Sequence, residues 1–285
     1  MNSHSENGEF PRATIEGLSV SRLIIGTNWF LGFSHTSKAK DNLIKTVQNR
    51  ERLADILEVF FKHGIDTIYG VRPESPHLEG AIRDAEDRTG RQCIKMGTPH
   101  FDLSGTQEAE SRNRRVIDGF AKIGCHVCLP HQATTDALVN RRTKSIDRME
   151  TYAQLIRDGG MIPGLSTHMP ETIPYADDNN LNVATYIQIY NAIGFLMQVE
   201  VDWVHRIIWN AKKPVITIKP LAAGRLLPLV GLAFNWATIR DGDMVVIGCY
   251  TPEEAQEVID ISRSQLERAA STVELQSTRS KASLA

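Results

Sequence analysis

A set of residues in this chain combines reactive side chains with one recurring position, just inside or just after a short apolar run. They are Asn28, Asp66, Tyr69, Lys95, His100, His131, Ser166, His168, Gln188, Lys219 and Cys249. Together they offer groups that give and take protons, amines that hold a charge or attack carbon, and amides that orient. Lys95 and His131 are the pair we expect at the reaction centre: Lys95 stands near the end of its run, where it would point into the mouth, and a histidine right after an apolar run and a proline is not an ordinary core choice. Asp66 is then either the ion-pair partner of Lys95 or part of the acid–base machinery. Tyr69 or a loop group must supply the proton, since a lysine cation is a weak acid at pH 7. His35, His100, His131 and His168 place imidazoles after the first, third, fourth and fifth runs. They are either a metal site or unconnected loop histidines, and no HxH or HxxE spacing supports a metal, so none is assigned. Lys219, ahead of Pro220, is a candidate for Schiff-base chemistry or for an ordinary binding role.

The shared position comes from a beat that repeats down the chain. Apolar runs at 22–26, 65–69, 93–97, 125–129, 161–165, 184–190, 215–218 and 244–248 alternate with amphipathic stretches. Between the first two runs, Leu53, Ile56, Leu57, Phe60 and Phe61 fall at helical spacing ahead of Gly64. Runs that are apolar throughout suit strands buried on both faces. Eight such runs, each followed by a helix, predict a (β/α)8, or TIM, barrel whose chemistry lies at the C-terminal ends of the strands. Helices are expected over 49–63, 76–89, 107–122 and 194–210, and after Thr251-Pro252-Glu253-Glu254, where an N-cap and a proline open one. A lead-in hairpin is expected over 13–18, and a polar loop carrying His35 after the first run.

A chain of 285 residues, 41% apolar and 23% charged, fits one barrel domain. We expect 1–12 to fray, 13–275 to form the barrel and 276–285 to be a mobile polar tail. A formal charge of −2 with no basic patch argues against a nucleic-acid partner. No apolar run approaches the ~20 residues of a membrane span, and the polar start has no signal-peptide core. Cys93, Cys125, Cys128 and Cys249 fall in or beside apolar runs, which reads as reduced thiols in a cytoplasmic protein, and the expected partner is a small-molecule substrate. In a strand, residues three apart point to opposite faces, so Cys125 and Cys128 read as two core cysteines rather than a metal pair.

Five stretches, taken in order, resemble the aldo-keto reductase superfamily over residues 17–262: GLSVSRLIIGTNWF, GIDTIYG with the helix after it, LPHQ, GLSTH with IQIYN, and IKPLAAGRLLP with VVIGCYTPEEAQEVID. The resemblance implies carbonyl reduction with NADPH or NADH. A tyrosine is the acid, a lysine lowers its pKa, an aspartate pairs with the lysine, and a histidine orients the carbonyl. Lys95 and His131 match that set. The family spaces its aspartate five residues before its tyrosine, whereas Asp66 and Tyr69 are three apart. Counting from Gly64 puts Tyr69 in the aspartate's place and Glu74 in the tyrosine's, so either a loop is shortened or the set is broken or rebuilt; the second is expected, with Asp66, Tyr69, Lys95 and His131 as the candidates.

For the cofactor, Gly26 and Asn28 close the first strand. Ser166 and Gln188 match the positions that hold the nicotinamide carboxamide, with Thr167 where the family has asparagine. Lys219, Leu221, Gly224 and Arg225 resemble the pyrophosphate loop, where a glycine lets backbone N–H groups approach phosphate. Arg225 is either an anion clamp or a surface charge. After the eighth strand, Glu253, Glu254 and Glu257 replace the family's basic pattern. Carboxylates there would repel the 2′-phosphate of NADPH, so NADH is expected over NADPH. The expected activity is an NAD(P)-linked oxidoreductase acting on a small carbonyl or alcohol. The alternatives are a cofactor-free or metal-assisted lyase, isomerase or hydrolase on a sugar-like substrate, and a binding protein without turnover.

Overall fold

Each apolar run becomes a parallel strand in the computed structural model, which describes residues 8–270. The strands are β1 (Leu23–Gly26), β2 (Thr67–Val71), β3 (Ile94–Gly97), β4 (Val127–Cys128), β5 in two halves (Ile162–Pro163 and Leu165–Ser166), β6 (Tyr186–Ile189), β7 (Val215–Ile218) and β8 (Met244–Ile247). Strand β8 pairs with β1, and β5 completes the circle, its first half on β4 and its second on β6. This is the (β/α)8 barrel. The break in β5 falls at Gly164, where a Cβ would come within 2.7 Å of Leu129 Cδ2 and 2.9 Å of Thr185 Cγ2. Only a residue without a side chain passes between those two groups.

Strand alternation sorts the runs into two layers. Ile24, Met96, Val127, Ile187, Ile216, Met244 and Val246 pack inside the barrel, with Tyr69 and Ile94 beside them. Ile25, Ile68, Cys128, Leu165, Val215, Val245 and Ile247 pack against the helices. An antiparallel hairpin, Arg12–Ile15 with Leu18–Ser21, turns at Glu16 and Gly17, both at positive φ. Its Ala13, Ile15 and Val20 join the interior cluster and plug the floor.

The surrounding helices are α1 (Arg50–Lys62), α2 (Pro76–Thr89), α3 (Gln107–Lys122), α4 (Met149–Asp158), α5 (Thr172–Asp178), α6 (Val201–Asn210), α7 (Pro228–Thr238) and α8 (Pro252–Glu267). Side-chain caps start several of them: Asn49 accepts from Arg52 N, Thr106 from Ala109 N and Thr251 from Glu254 N. Helix α1 buries the stripe Leu53, Ile56, Leu57, Phe60 and Phe61. At about 1.5–3 kcal/mol per large apolar side chain, that face docks the helix.

The structure departs from expectation in several places. The loop after β1 holds a turn, Asn28–Leu31, and a helix, Lys38–Val47, capped by Ser37. The helix expected over 194–210 starts only at Val201, because Gly194, Leu196 and Gln198 take positive φ. Between β4 and α4 lie a short helix, Gln132–Ala137, and a small hairpin. Of the segment expected to fray, 8–12 is placed: Phe10 is 1% exposed and its N–H donates to His63 O. The expected tail at 276–285 lies outside the described residues. Cys125 and Cys128 are buried, but their sulfurs lie 3.8 Å apart, because Cys125 precedes the two-residue strand β4 instead of belonging to it. Among the described residues no helix is long and apolar enough to cross a membrane.

Candidate active site at the barrel mouth

The barrel separates the four residues expected at the reaction centre. Lys95 sits between Ile94 and Met96, which face inward, so its own side chain faces the helices. Its Nζ donates to Glu79 Oε2 on α2 at 2.6 Å and to Ile123 O, just past α3, at 2.9 Å. Asp66 precedes β2 and lies at the floor of the barrel, where Arg12 Nη1 donates to both its oxygens at 2.9 and 3.1 Å. Neither residue is at the mouth, and they are not each other's partner. The expectation fails because β2 begins at Thr67 and runs to Val71, two residues past its expected end. Asp66 therefore drops to the floor, Tyr69 falls inside the strand, and Arg72 takes the strand-end position.

Tyr69 and His131 do reach the mouth side. The Tyr69 hydroxyl lies 3.3 Å from Ser166 Oγ on the second half of β5. Burial pushes its pKa up to about 12, against weaker opposing pulls from Ser166 and the Arg72 charge. His131 follows β4 and caps the short helix, its Nδ1 accepting Ala133 N–H at 3.2 Å. That bond assigns the neutral tautomer with the proton on Nε2. Its ring stacks on His100, which follows β3, with centroids 3.9 Å apart and planes 29° apart. Burial first, then His100, Arg72 and His168, hold the His131 pKa down to about 4. His168 is likewise held to about 4, by burial and then by Lys219 and His35. Both imidazoles are neutral at pH 7.

Lys219 follows β7 at φ +61°, a left-handed backbone unusual ahead of a proline, and its carbonyl accepts Ala222 N–H at 2.9 Å. Its Nζ lies 3.2 Å from His35 Nε2, which also meets Asn28 Nδ2 at 3.0 Å. With two donors on it, Nε2 of His35 is the acceptor. Burial lowers the Lys219 pKa, and burial followed by the Lys219 charge lowers that of His35. The loop after β1 thus crosses the mouth to β7. Below His168 is a carboxylate that the sequence did not flag: Asp136 accepts from Thr167 Oγ1 at 2.6 Å and from His168 N at 3.3 Å, and burial raises its pKa.

The expected cofactor residues divide in the same way. Ser166 and Asn28 are on the mouth side. Gly26 is packed under β8, where a Cβ would come within 2.9 Å of Val246 Cγ1. Gln188 pairs in register with Thr217, whose hydroxyl meets Asn235 on α7, so Gln188 shares the helix-facing side and not the mouth. The physical reason is the one that moved Lys95: a strand buried on both faces hides its inward side from the sequence. After β7, Leu221 O accepts the N–H groups of Gly224, Arg225 and Leu226. Gly224, at φ +84°, has open space around it, and Arg225 lies over the Phe195 ring at 4.1 Å. At the start of α8, Tyr250 N donates to Glu254 Oε2, and Glu253's own backbone N–H lowers the pKa of the Glu253 carboxyl. Trp29 packs edge-on to Tyr250 at 5.8 Å, beside Gly248.

A cavity of about 640 Å³ opens beside the mouth, lined among others by Phe30, Phe33, Phe120, Lys45, Arg72 and His100. Among the described residues, no group of three or more His, Cys, Asp or Glu stands where it would hold a metal ion.

No family model matches the chain, and no curated protein matches it. Solved structures do. Two from Pseudomonas aeruginosa, carrying a provisional aldo-keto reductase name, are 16% and 18% identical with TM-scores of 0.64 and 0.63. Each covers 90% of this chain, and the match takes in 96% and 95% of their own lengths. An aldo/keto reductase from Klebsiella pneumoniae, in complex with NADP and acetate, is 16% identical with a TM-score of 0.53 and 92% of each chain covered. The chain therefore has the barrel fold seen in aldo-keto reductases. At these identities the likeness shows the fold, and function has to be argued from the site.

Proposed function

We propose that this chain is an enzyme of aldo-keto reductase type that interconverts a small carbonyl compound and its alcohol at the barrel mouth. The observation that supports this is the pair of proton-bearing groups on the mouth side, Tyr69 against Ser166 and His131 with its Nε2–H unclaimed. The protonated phenol gives its proton to an oxygen gaining negative charge, and the neutral imidazole donates a hydrogen bond that orients that oxygen. A nicotinamide dinucleotide, when bound, supplies the hydride. The diphosphate end fits the residues present: among the described residues neither Lys219 nor Arg225 has a carboxylate in ion-pair range, and Gly224 leaves open space. Lys219, Leu221, Gly224 and Arg225 would hold it, with Ser166 and Asn28 toward the nicotinamide. Glu253 and Glu254 at the start of α8 disfavour a 2′-phosphate, which makes NADH the preferred form.

A second reading is favoured by the loop after β1, which lies across the mouth with Trp29 beside Gly248 and His35 on Lys219. In that reading the same groups serve a lyase, isomerase or hydrolase without a cofactor, since enolisation needs only a positioned base, an acid and a neutral imidazole. Fluorescence titration with NADH and NADPH separates the two. Binding of NADH, tighter than NADPH, supports the oxidoreductase; no binding of either moves the assignment to the second reading. Tyr69→Phe and His131→Ala should each lower turnover by about two orders of magnitude or more. Full turnover in both variants would remove these residues from the reaction.

A further inference from the structure

We propose that the cavity beside the mouth binds a monoanionic carboxylate with an aromatic or bulky apolar body, and that Arg72 is its clamp. The inference begins with Arg72, which no motif singled out. It is the first residue after β2, lines the cavity and is half-buried. Among the described residues it makes no ion pair, and its guanidinium lies over the Phe33 ring, 5.4 Å from the centroid. Lys45 Nζ lies 5.6 Å from the same ring centroid. A partly desolvated guanidinium stacked on an aromatic face, with no carboxylate in ion-pair range, gains most from an anion. Its planar N–H edge matches one carboxylate in a bidentate pair. Glu74 shares the lining and penalises a second negative charge, so one charge fits better than the two of a phosphate monoester.

The rest of the wall sets the body of the ligand. Phe30, Leu31, Phe33, Val116 and Phe120 form an apolar surface suited to a ring or a branched chain. His100 lies on the same lining and stacks on His131. A ligand held by its carboxylate at Arg72 therefore presents its neighbouring polar atoms to the imidazole pair. A 2-oxo or 2-hydroxy acid with an aromatic side chain has that layout. As a substrate class this rests on the carbonyl reading of the mouth; as a binding site it stands by itself.

The experiment is calorimetric titration of the full chain with phenylpyruvate and with its uncharged counterpart phenylacetone. Wild type should bind phenylpyruvate at least tenfold more tightly than phenylacetone. Arg72→Met should weaken phenylpyruvate about ten- to a hundredfold, the worth of a charged hydrogen-bond pair, and leave phenylacetone unchanged. Arg72→Lys should keep part of the affinity, since a point charge lacks the fork. Phe33→Ala should weaken both ligands. No binding of phenylpyruvate, equal binding of acid and ketone, or unchanged acid binding in a folded Arg72→Met would overturn the assignment. If Arg72→Met does not fold, unaltered acid affinity in both Arg72→Lys and Phe33→Ala would overturn it as well. Arg72-dependent binding with no turnover by any dinucleotide would uphold the pocket and count against the reductase alone.

Discussion

Replacing Lys95 with methionine should cost stability and spare the chemistry. The Lys95 and Glu79 side chains are 13% and 11% exposed, and their contact at 2.6 Å is the only one Glu79 Oε2 makes with a cation among the described residues. Glu79 Oε1 is buried and already without a partner, so Lys95→Met leaves the whole carboxylate uncompensated. It also strips Ile123 O, next to the end of α3, of its 2.9 Å donor. Breaking a buried pair by removing one partner costs about 3–5 kcal/mol, and the residual exposure here argues for the lower end, about 3. For a domain of this size, 1 kcal/mol moves Tm by roughly 2–4 °C, which gives a drop of roughly 6–12 °C. Urea and thermal unfolding of the variant measure this directly. The double variant Lys95→Met with Glu79→Leu should recover most of the loss, because an apolar pair of similar volume often replaces a buried ion pair at little cost. Turnover per folded molecule should stay within a few-fold of wild type. A Lys95→Met protein that melts like wild type but loses turnover a hundredfold would refute this placement of the lysine.

Acid should destabilise the fold through two histidines. His131 and His168 have pKa values lowered from 6.5 to about 4, so between those values the unfolded chain binds protons that the folded chain does not. Their stability is fully present above pH 6.5 and lost as the pH falls toward 4; urea midpoints at pH 7.5 and 5 should separate, and His131→Asn with His168→Asn should narrow the gap. Gly164→Ala should destabilise by about 1–3 kcal/mol through overpacking against Leu129 and Thr185, which a melting curve reads; an unchanged Tm would mean that the seam relaxes. Glu253→Arg should raise NADPH affinity relative to NADH in the titration described above, and an unaltered ratio would detach α8 from cofactor choice.

The strands were legible because both faces of each are covered, and unbroken apolar runs advertise this. The same property hid which way a polar residue in a run would point. Nothing near Lys95 or Gln188 distinguishes an inward from an outward position, because their apolar neighbours suit both layers. Boundaries mattered as much: a two-residue error at the end of β2 put Asp66 at the mouth instead of the floor and passed over Arg72, which follows the strand. The histidines were easier, since a residue after a strand lies at the mouth whichever way the strand faces. The helix Lys38–Val47 left no apolar stripe to find, with Ile44 its sole buried residue. Asp136 was invisible for a different reason, as its partners Thr167 and His168 come from another strand end.

The divided fifth strand has a mechanical consequence. Ile162 and Pro163 have their ladder partners in β4, and Leu165 and Ser166 theirs in β6, with one further bond across the break, from Ala184 N–H to Pro163 O at 2.8 Å. The other strands form one arc running from β6 through β8 and β1 to β4, and the circle is fastened by this single two-sided clasp. Ser166, the hydrogen-bond partner of Tyr69, is the last residue of the clasp. The distance between the phenol and its hydroxyl neighbour is therefore set by how firmly the ring is shut. A loosening of the clasp would move Ser166 Oγ relative to the Tyr69 hydroxyl, the proton donor proposed above.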